Sequence, residues 1–205
     1  MNAVEKAAQQ TIPAIGQAYG GGFVTGVTRD PETGERHLWI TAGAAHELEG
    51  EWGPRGLKVD GADSFTNSRA NTEAMAAAGS ELAQKVLKLE IGGFTDWAIP
   101  ARDVQELQYR HFKPTTETNY CWNRDGDNPN SEPVGLLYTE ESPGQTVHEA
   151  FRTGALEAFQ RAWYWSSSQR SADIAFFMGF VDGFQDSYGK NGELRVRPVR
   201  SEIIQ

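Results

Sequence analysis

Ala162-Trp163-Tyr164-Trp165-Ser166-Ser167-Ser168, Asp173-Ile174-Ala175-Phe176-Phe177-Met178-Gly179-Phe180-Val181 and Leu194-Arg195-Val196-Arg197-Pro198-Val199-Arg200 fill most of the last fifth of the chain. The first segment is an aromatic strand that runs into hydroxyls. The second is apolar at nearly every position, so it needs cover on both faces or one face committed to binding. Asp182-Gly183 then reads as a tight hairpin turn with positive φ at both residues, and Asn191-Gly192 repeats the device. The last segment alternates apolar and basic residues, as one half-buried strand does. This spacing predicts a three-stranded meander entered from an aromatic strand, with the alternating arginines solvated or salt-bridged.

The whole chain has 205 residues, 39% hydrophobic, with 22 glycines, a formal net charge of −9 and a pI near 5.0. That length suits one domain, or one domain with an appendage. The acidic balance argues against nucleic acid as a partner, since phosphate neutralisation needs a basic face. Cys121 is the only cysteine, so no intrachain disulfide is expected. Residues 1–6 lack a basic region followed by an apolar core, and no run reaches the length of a membrane span. Folding in a reducing cytoplasm, without secretion by a signal peptide, is the expectation.

Upstream, residues 2–11 favour helix but hold little apolar surface, so residues 1–19 read as an N-terminal arm. Gly20-Gly21-Gly22 precedes a strand, unlike a dinucleotide loop, which follows one. Residues 22–42 read as a hairpin turned by Asp30-Pro31-Glu32-Thr33-Gly34. Met75, Ala78, Leu82, Val86 and Leu89 mark one helix stripe, capped by Asn71 or Thr72 and stopped at Gly92-Gly93. A short strand ending at Pro100 leads to a helix over residues 102–112. Residues 113–161 read as an insertion: a polar loop, a short strand over 134–138, and a helix opened by a capping box of Thr146 and Glu149.

Gly92-Gly93-Phe94-Thr95-Asp96-Trp97-Ala98-Ile99-Pro100, Glu106-Leu107, Tyr164-Trp165-Ser166-Ser167-Ser168, Phe180, Asp182-Gly183 and Arg195-Val196-Arg197-Pro198-Val199-Arg200 occur in that order. Together they resemble the bacterial and phage family named for the C-terminal domain of the collagen-like adhesin Lcl, over about residues 20–200. The resemblance implies an α+β, C-type-lectin-like fold: small antiparallel sheets with two or three flanking helices, first and last strands paired. It also implies kinship with phage receptor-binding proteins such as the major tropism determinant. The chain departs from the pattern at Ala101, where the family places a capping Ser or Thr; Asp103 is the expected substitute. The insertion at 113–161 is a second departure.

Catalytic signatures are missing. His37, His46, His111 and His148 show no ligand spacing with one another or with Cys121, and Ser166 to Ser168 lack a nucleophile elbow. Asp125-Gly126-Asp127-Asn128 offers alternate oxygen ligands for calcium, yet lacks the closing glutamate and so reads as a turn. A non-enzyme with no metal and no cofactor is expected. Two classes remain. One is a phage virion protein, tail fibre or surface component, presenting a lectin-like face to a host glycan or protein. The other is a capsid decoration or baseplate protein that binds another virion subunit, or a bacterial surface adhesin. The ligand face expected for the first is Gln169, Arg170, Asp173, Phe177, Phe184, Gln185, Asp186 and Tyr188, with the arm contacting other virion subunits and homo-oligomers, trimers above all, supplying avidity.

Overall fold

The computed structural model describes residues 12–122 and 125–205. The expected hairpin forms from β2 (Gly22–Arg29) and β3 (Arg36–Thr41). Its turn is held by Asp30 Oδ1, which accepts from the amides of Glu32 and Thr33 at 2.9 and 2.8 Å. β1 (Ala18–Tyr19) pairs with one end of β2, and β5 (Ser131–Glu132) with the other. β10 (Val199–Ile204) lies antiparallel to β3, closing a five-stranded sheet in the order β1-β2-β3-β10, with β5 beside β2. The last strand therefore pairs with the second strand of the hairpin rather than with the first.

The second sheet runs β4-β9-β6-β7-β8, from β4 (Leu48–Glu51), β9 (Glu193–Val196), β6 (Trp163–Gln169), β7 (Ile174–Gly179) and β8 (Gln185–Gly189). Apart from one parallel bridge, Tyr164 to Arg195, its pairs are antiparallel. The protein is thus a mixed α+β fold of two curled, mainly antiparallel sheets, with three α-helices among the described residues.

Four features of the C-terminal reading need correction. β6, β7 and β8 form the meander, but Asn191-Gly192 does not return β9 to β8; β9 crosses over to lie between β4 and β6. Asp182-Gly183 sits in a five-residue loop, where Asp182 Oδ1 accepts from Phe184 N at 3.2 Å and Gly183 takes φ 77°. Residues 194–200 are two strands in two sheets. Pro198 has no N–H to continue a ladder, and Arg197 beside it is salt-bridged, as one of the two expectations had it, but fully buried. Its guanidinium pairs with Glu47 at 2.6 Å, donates to the carbonyls of Glu157 and Ala158, and lies over the Phe159 ring. Arg200 is buried too, between Asp96 and Glu202 at 2.7 and 2.8 Å.

The expected single stripe over 75–89 becomes two helices, α1 (Ser68–Ala77) and α2 (Glu81–Val86). Gly79 at φ 100° ends the first. Ser80 starts the second, its hydroxyl accepting from Ala83 N and donating to Trp52 O. Asn67, not Asn71 or Thr72, caps α1, and the buried Asn71 and Thr72 instead bond Ser64 and Ile99. The segment before Pro100 makes only isolated bridges, Ile91 to Phe94 and Ala98 to Val199.

α3 (Arg102–Phe112) keeps its expected bounds. Asp103 does not cap it, because its carboxylate is drawn sideways to Arg102 and Asn130. The Ser168 hydroxyl accepts from Arg102 N at 3.0 Å and replaces the missing cap.

In the insertion, residues 134–138 form no strand, and Thr146 opens no helix. The Thr146 hydroxyl donates to His111 O, leaving a 3₁₀ turn at Glu149–Phe151. Residues 1–11 of the expected arm lie outside the described residues. Residues 12–19 belong to the body of the fold: Gly16 N donates to Val24 O, β1 joins the first sheet, and Tyr19 OH donates to Glu202. Trp52, Trp97 and Trp165 are fully buried in the main core, a second cluster gathers Tyr109, Phe112, Phe151, Phe159, Tyr164 and Phe180, and a third packs Trp39 against α3. Among the described residues no helix is long and apolar enough to cross a membrane.

Candidate functional site

Strand alternation sorts the second sheet's side chains by face. Register pairs Trp165 with Phe177, Phe177 with Asp186, and Ala175 with Tyr188. Trp163, two residues before Trp165, therefore joins Phe177, Asp186 and Tyr188 on one face. Phe176, Gln185 and Ser187 stand on the other.

The first face carries a row of touching rings. Tyr120 meets Phe184 edge-on at 4.8 Å, Phe184 meets Phe177 at 5.8 Å, Phe177 meets Trp163 at 4.6 Å, and Trp163 meets Tyr188 at 5.9 Å. Phe177 is buried and anchors the row. Tyr120, Trp163 and Tyr188 remain 40%, 44% and 47% exposed, enough area for a partner to stack on. At one end a concavity of about 450 Å³ is lined by Tyr120, Trp163, Gly179, Val181, Asp182 and Phe184. Gly179 makes its floor: a Cβ there would lie 3.4 Å from both the Trp163 ring and Asp182 Oδ1. At the other end Tyr188 lies so close to Gly192 that a Cβ would collide with its ring at 2.4 Å.

The eight expected ligand residues do not form one face. Phe184, Asp186 and Tyr188 join the aromatic row, with Phe177 beneath them. Arg170 reaches Ser187 Oγ at 3.1 Å and Asp186 at 3.8 Å, near the row's edge. Asp173 is engaged by Arg55 at 3.4 Å. Gln185 lies on the opposite face, contacted by Arg102, whose guanidinium covers Phe65 and Phe176. Gln169 is buried and consumed internally: it bonds both backbone groups of Val59 and accepts from Lys190 Nζ at 2.9 Å. Lys190 is also buried, and desolvation pushes its ammonium down to about 8.

Sequence reasoning missed Trp163 and Tyr120 as ligand residues. Two-residue periodicity with Trp165 was a usable signal for Trp163. Tyr120 had none, since it arrives from the insertion.

That insertion borders the site. Tyr120 N donates to Asp182 O at 2.7 Å, tying the loop to the turn before β8. Asp125 sits behind it with Oδ2 accepting from Trp122 N at 3.2 Å, and burial pushes its carboxyl up to about 6. Its oxygens thus face backbone amides rather than an open calcium-type loop. Among the described residues no three His, Cys, Asp or Glu side chains gather into a metal cage. His111, whose ring Nδ1 lies 2.5 Å from Thr25 O, is pushed below the usual imidazole value by burial. A scan against protein-family models finds no match to this chain, and a search of curated proteins finds none either.

Proposed function

We propose that this is a non-enzymatic virion protein of a phage, a tail or surface component that binds a host receptor through the aromatic face of its second sheet. The observation that carries the reading is the row of five rings from Tyr120 to Tyr188, of which Tyr120, Trp163 and Tyr188 are nearly half-exposed. Exposed aromatics in contact with one another offer a partner large area at little cost in side-chain entropy. The ordered sequence motifs resemble the Lcl C-terminal family, and two curled sheets flanked by helices are compatible with its C-type-lectin-like fold. On this reading the chain works as a homo-oligomer, trimers being favoured, so that weak sites add up. Residues 1–11 would attach it to other virion subunits.

One observation favours the alternative of a decoration or baseplate protein. Val134, Leu136 and Leu137 expose an apolar ridge on the insertion, with Leu136 75% exposed, which suits contact with another subunit. Attachment of purified particles to host cells separates the two readings. Replacing Trp163, Asp186 and Tyr188 together with alanine should abolish attachment and leave particle copy number intact. Unchanged attachment, with copy number falling for Leu136→Asp, would transfer the function to the ridge.

A further inference from the structure

The concavity at the Tyr120 end of the row has a composition that narrows its ligand. Its walls are the rings of Tyr120, Trp163 and Phe184, and Asp182 is the only charged residue among the described residues of its lining. About 450 Å³ falls within the ~300–1,000 Å³ typical of small-ligand sites. The Asp182 carboxylate is fixed in place, because Oδ1 accepts from Phe184 N at 3.2 Å within the turn. Gly183 is seated against Tyr109, where a Cβ would meet the ring at 2.6 Å, so only glycine fits at this point of the turn. A carboxylate has about four lone-pair directions, and this amide uses one.

We infer that this concavity binds a neutral pyranose sugar, one C–H face stacked on Trp163 or Tyr120 and hydroxyls donating to Asp182. The inference rests on the receptor-binding reading and specifies its ligand class. Three arguments select this occupant. A sugar ring presents an apolar face and a rim of O–H donors together, which is what rings beside a bare acceptor complement. An anionic saccharide, sulfated or uronic, would bring its charge against Asp182; no described residue of the lining is Lys, Arg or His, and the Lys113 ammonium that interacts with Asp182 is buried and held by Glu117 O, Asn119 Oδ1 and Pro143 O. The nearby Arg161 is already paired with Glu117 at 3.3 Å, and the chain as a whole carries −9. A proline-rich peptide also suits aromatic walls, yet it offers carbonyl acceptors with few N–H donors, so it would desolvate the carboxylate without pairing it.

The experiment is saturation-transfer NMR on the full chain with maltotriose, cellotriose, chitotriose, lactose, a heparin tetrasaccharide and a proline-rich decapeptide. The expected result is binding of at least one neutral sugar, lost by tenfold or more in Trp163→Ala. Tyr120→Ser, on the insertion rather than on the sheet, provides a second variant should Trp163→Ala fail to fold. Asp182→Asn keeps the turn's oxygen acceptor and should weaken the same sugar about fivefold, the difference between a charged and a neutral acceptor. The inference is overturned if only heparin or the peptide binds, if no panel member binds, or if neutral-sugar binding is indifferent to both ring variants. Host attachment lost in Trp163→Ala with no neutral sugar bound would sink the sugar assignment alone and leave receptor binding standing.

Discussion

The sheets and helices on one side, and residues 113–161 on the other, are held together by different physics. The first region closes over Trp52, Trp97, Trp165, Val196 and their neighbours, and its backbone polar groups are paired in ladders and helices. The second contains one two-residue strand and one 3₁₀ turn among its described residues. Scattered turn and loop bonds satisfy part of its backbone, and buried side chains satisfy many of the remaining carbonyls. Lys113 Nζ donates to Glu117 O, Asn119 Oδ1 and Pro143 O; Asn119 Nδ2 donates to Thr139 O and Pro143 O; and Arg110 donates to Gly126 O and Leu136 O. Beneath them Glu106 is buried with Arg110, Tyr138 and Asn128 around it. An apolar core tolerates a lost methylene at modest cost, whereas a polar lattice loses several bonds when one member goes. The loop that brings Tyr120 to the aromatic row is therefore positioned by hydrogen bonds, while Trp163 and Tyr188 stand on the sheet.

The contrast can be broken most severely in the core. Val196 is fully buried beside Trp165, and Val196→Asp would place an unpaired charge there. The expected cost is several kcal/mol out of a total of about 5–15 kcal/mol, so the variant should show no cooperative melt by circular dichroism. A soluble, cooperatively melting protein would contradict the packing of β9.

Asn119→Ala tests the polar lattice. It removes one of three acceptors from the Lys113 ammonium and the acceptor of the Tyr109 hydroxyl, which now share Asn119 Oδ1 at 2.8 and 2.7 Å. A loss of roughly 2–4 kcal/mol is expected, confined to the insertion. Hydrogen exchange should quicken across residues 113–161 and stay slow in β6 and β7. Uniform quickening would show that the two regions unfold as one.

Acidity sharpens the comparison. Burial raises the carboxyls of Asp125, Asp103 and Glu106, all in or under the insertion. For Asp125 the folded value of about 6 exceeds the model-peptide 3.8, so the fold binds more protons than the unfolded chain between those values. Its contribution is fully present below about 3.8 and is lost as pH rises through about 6. Asp125→Asn should consequently gain stability relative to the parent as pH goes from 4 to 7. A gain of roughly 1 kcal/mol, allowing for solvent access, is expected in paired urea melts. A gain that shrinks over that range would reverse the sign.

The smallest effect belongs to the exposed rim. Tyr188→Ala removes a half-exposed ring whose inner edge meets Trp165 and Phe177, so stability should fall by no more than about 1 kcal/mol. A larger loss would mean that the row is part of the core rather than a surface laid over it.

Some of this architecture was local enough to read. The Asp30 to Gly34 turn and the α3 bounds follow from turn chemistry, proline placement and periodicity within a dozen residues. The apolar run at 173–181 called for cover on both faces or one face committed to binding, and the structure buries Ala175, Phe177, Met178 and Phe180. Other features depended on partners far along the chain. Arg197 alternates like a surface arginine, but Glu47 lies 150 residues away and draws it inside. The α3 cap comes from Ser168, 66 residues downstream, so the missing hydroxyl at Ala101 could not disclose it. Gln169 looks like a turn-side reader until Lys190 and Val59 close around it. Period and turn chemistry are properties of neighbours in sequence, and these the amino acids determined by themselves. Which polar groups are buried, and which rings are left out to meet a ligand, depends on charges and backbone groups brought together only by the crossover of β9 and the docking of residues 113–161, and that the tertiary structure alone decided.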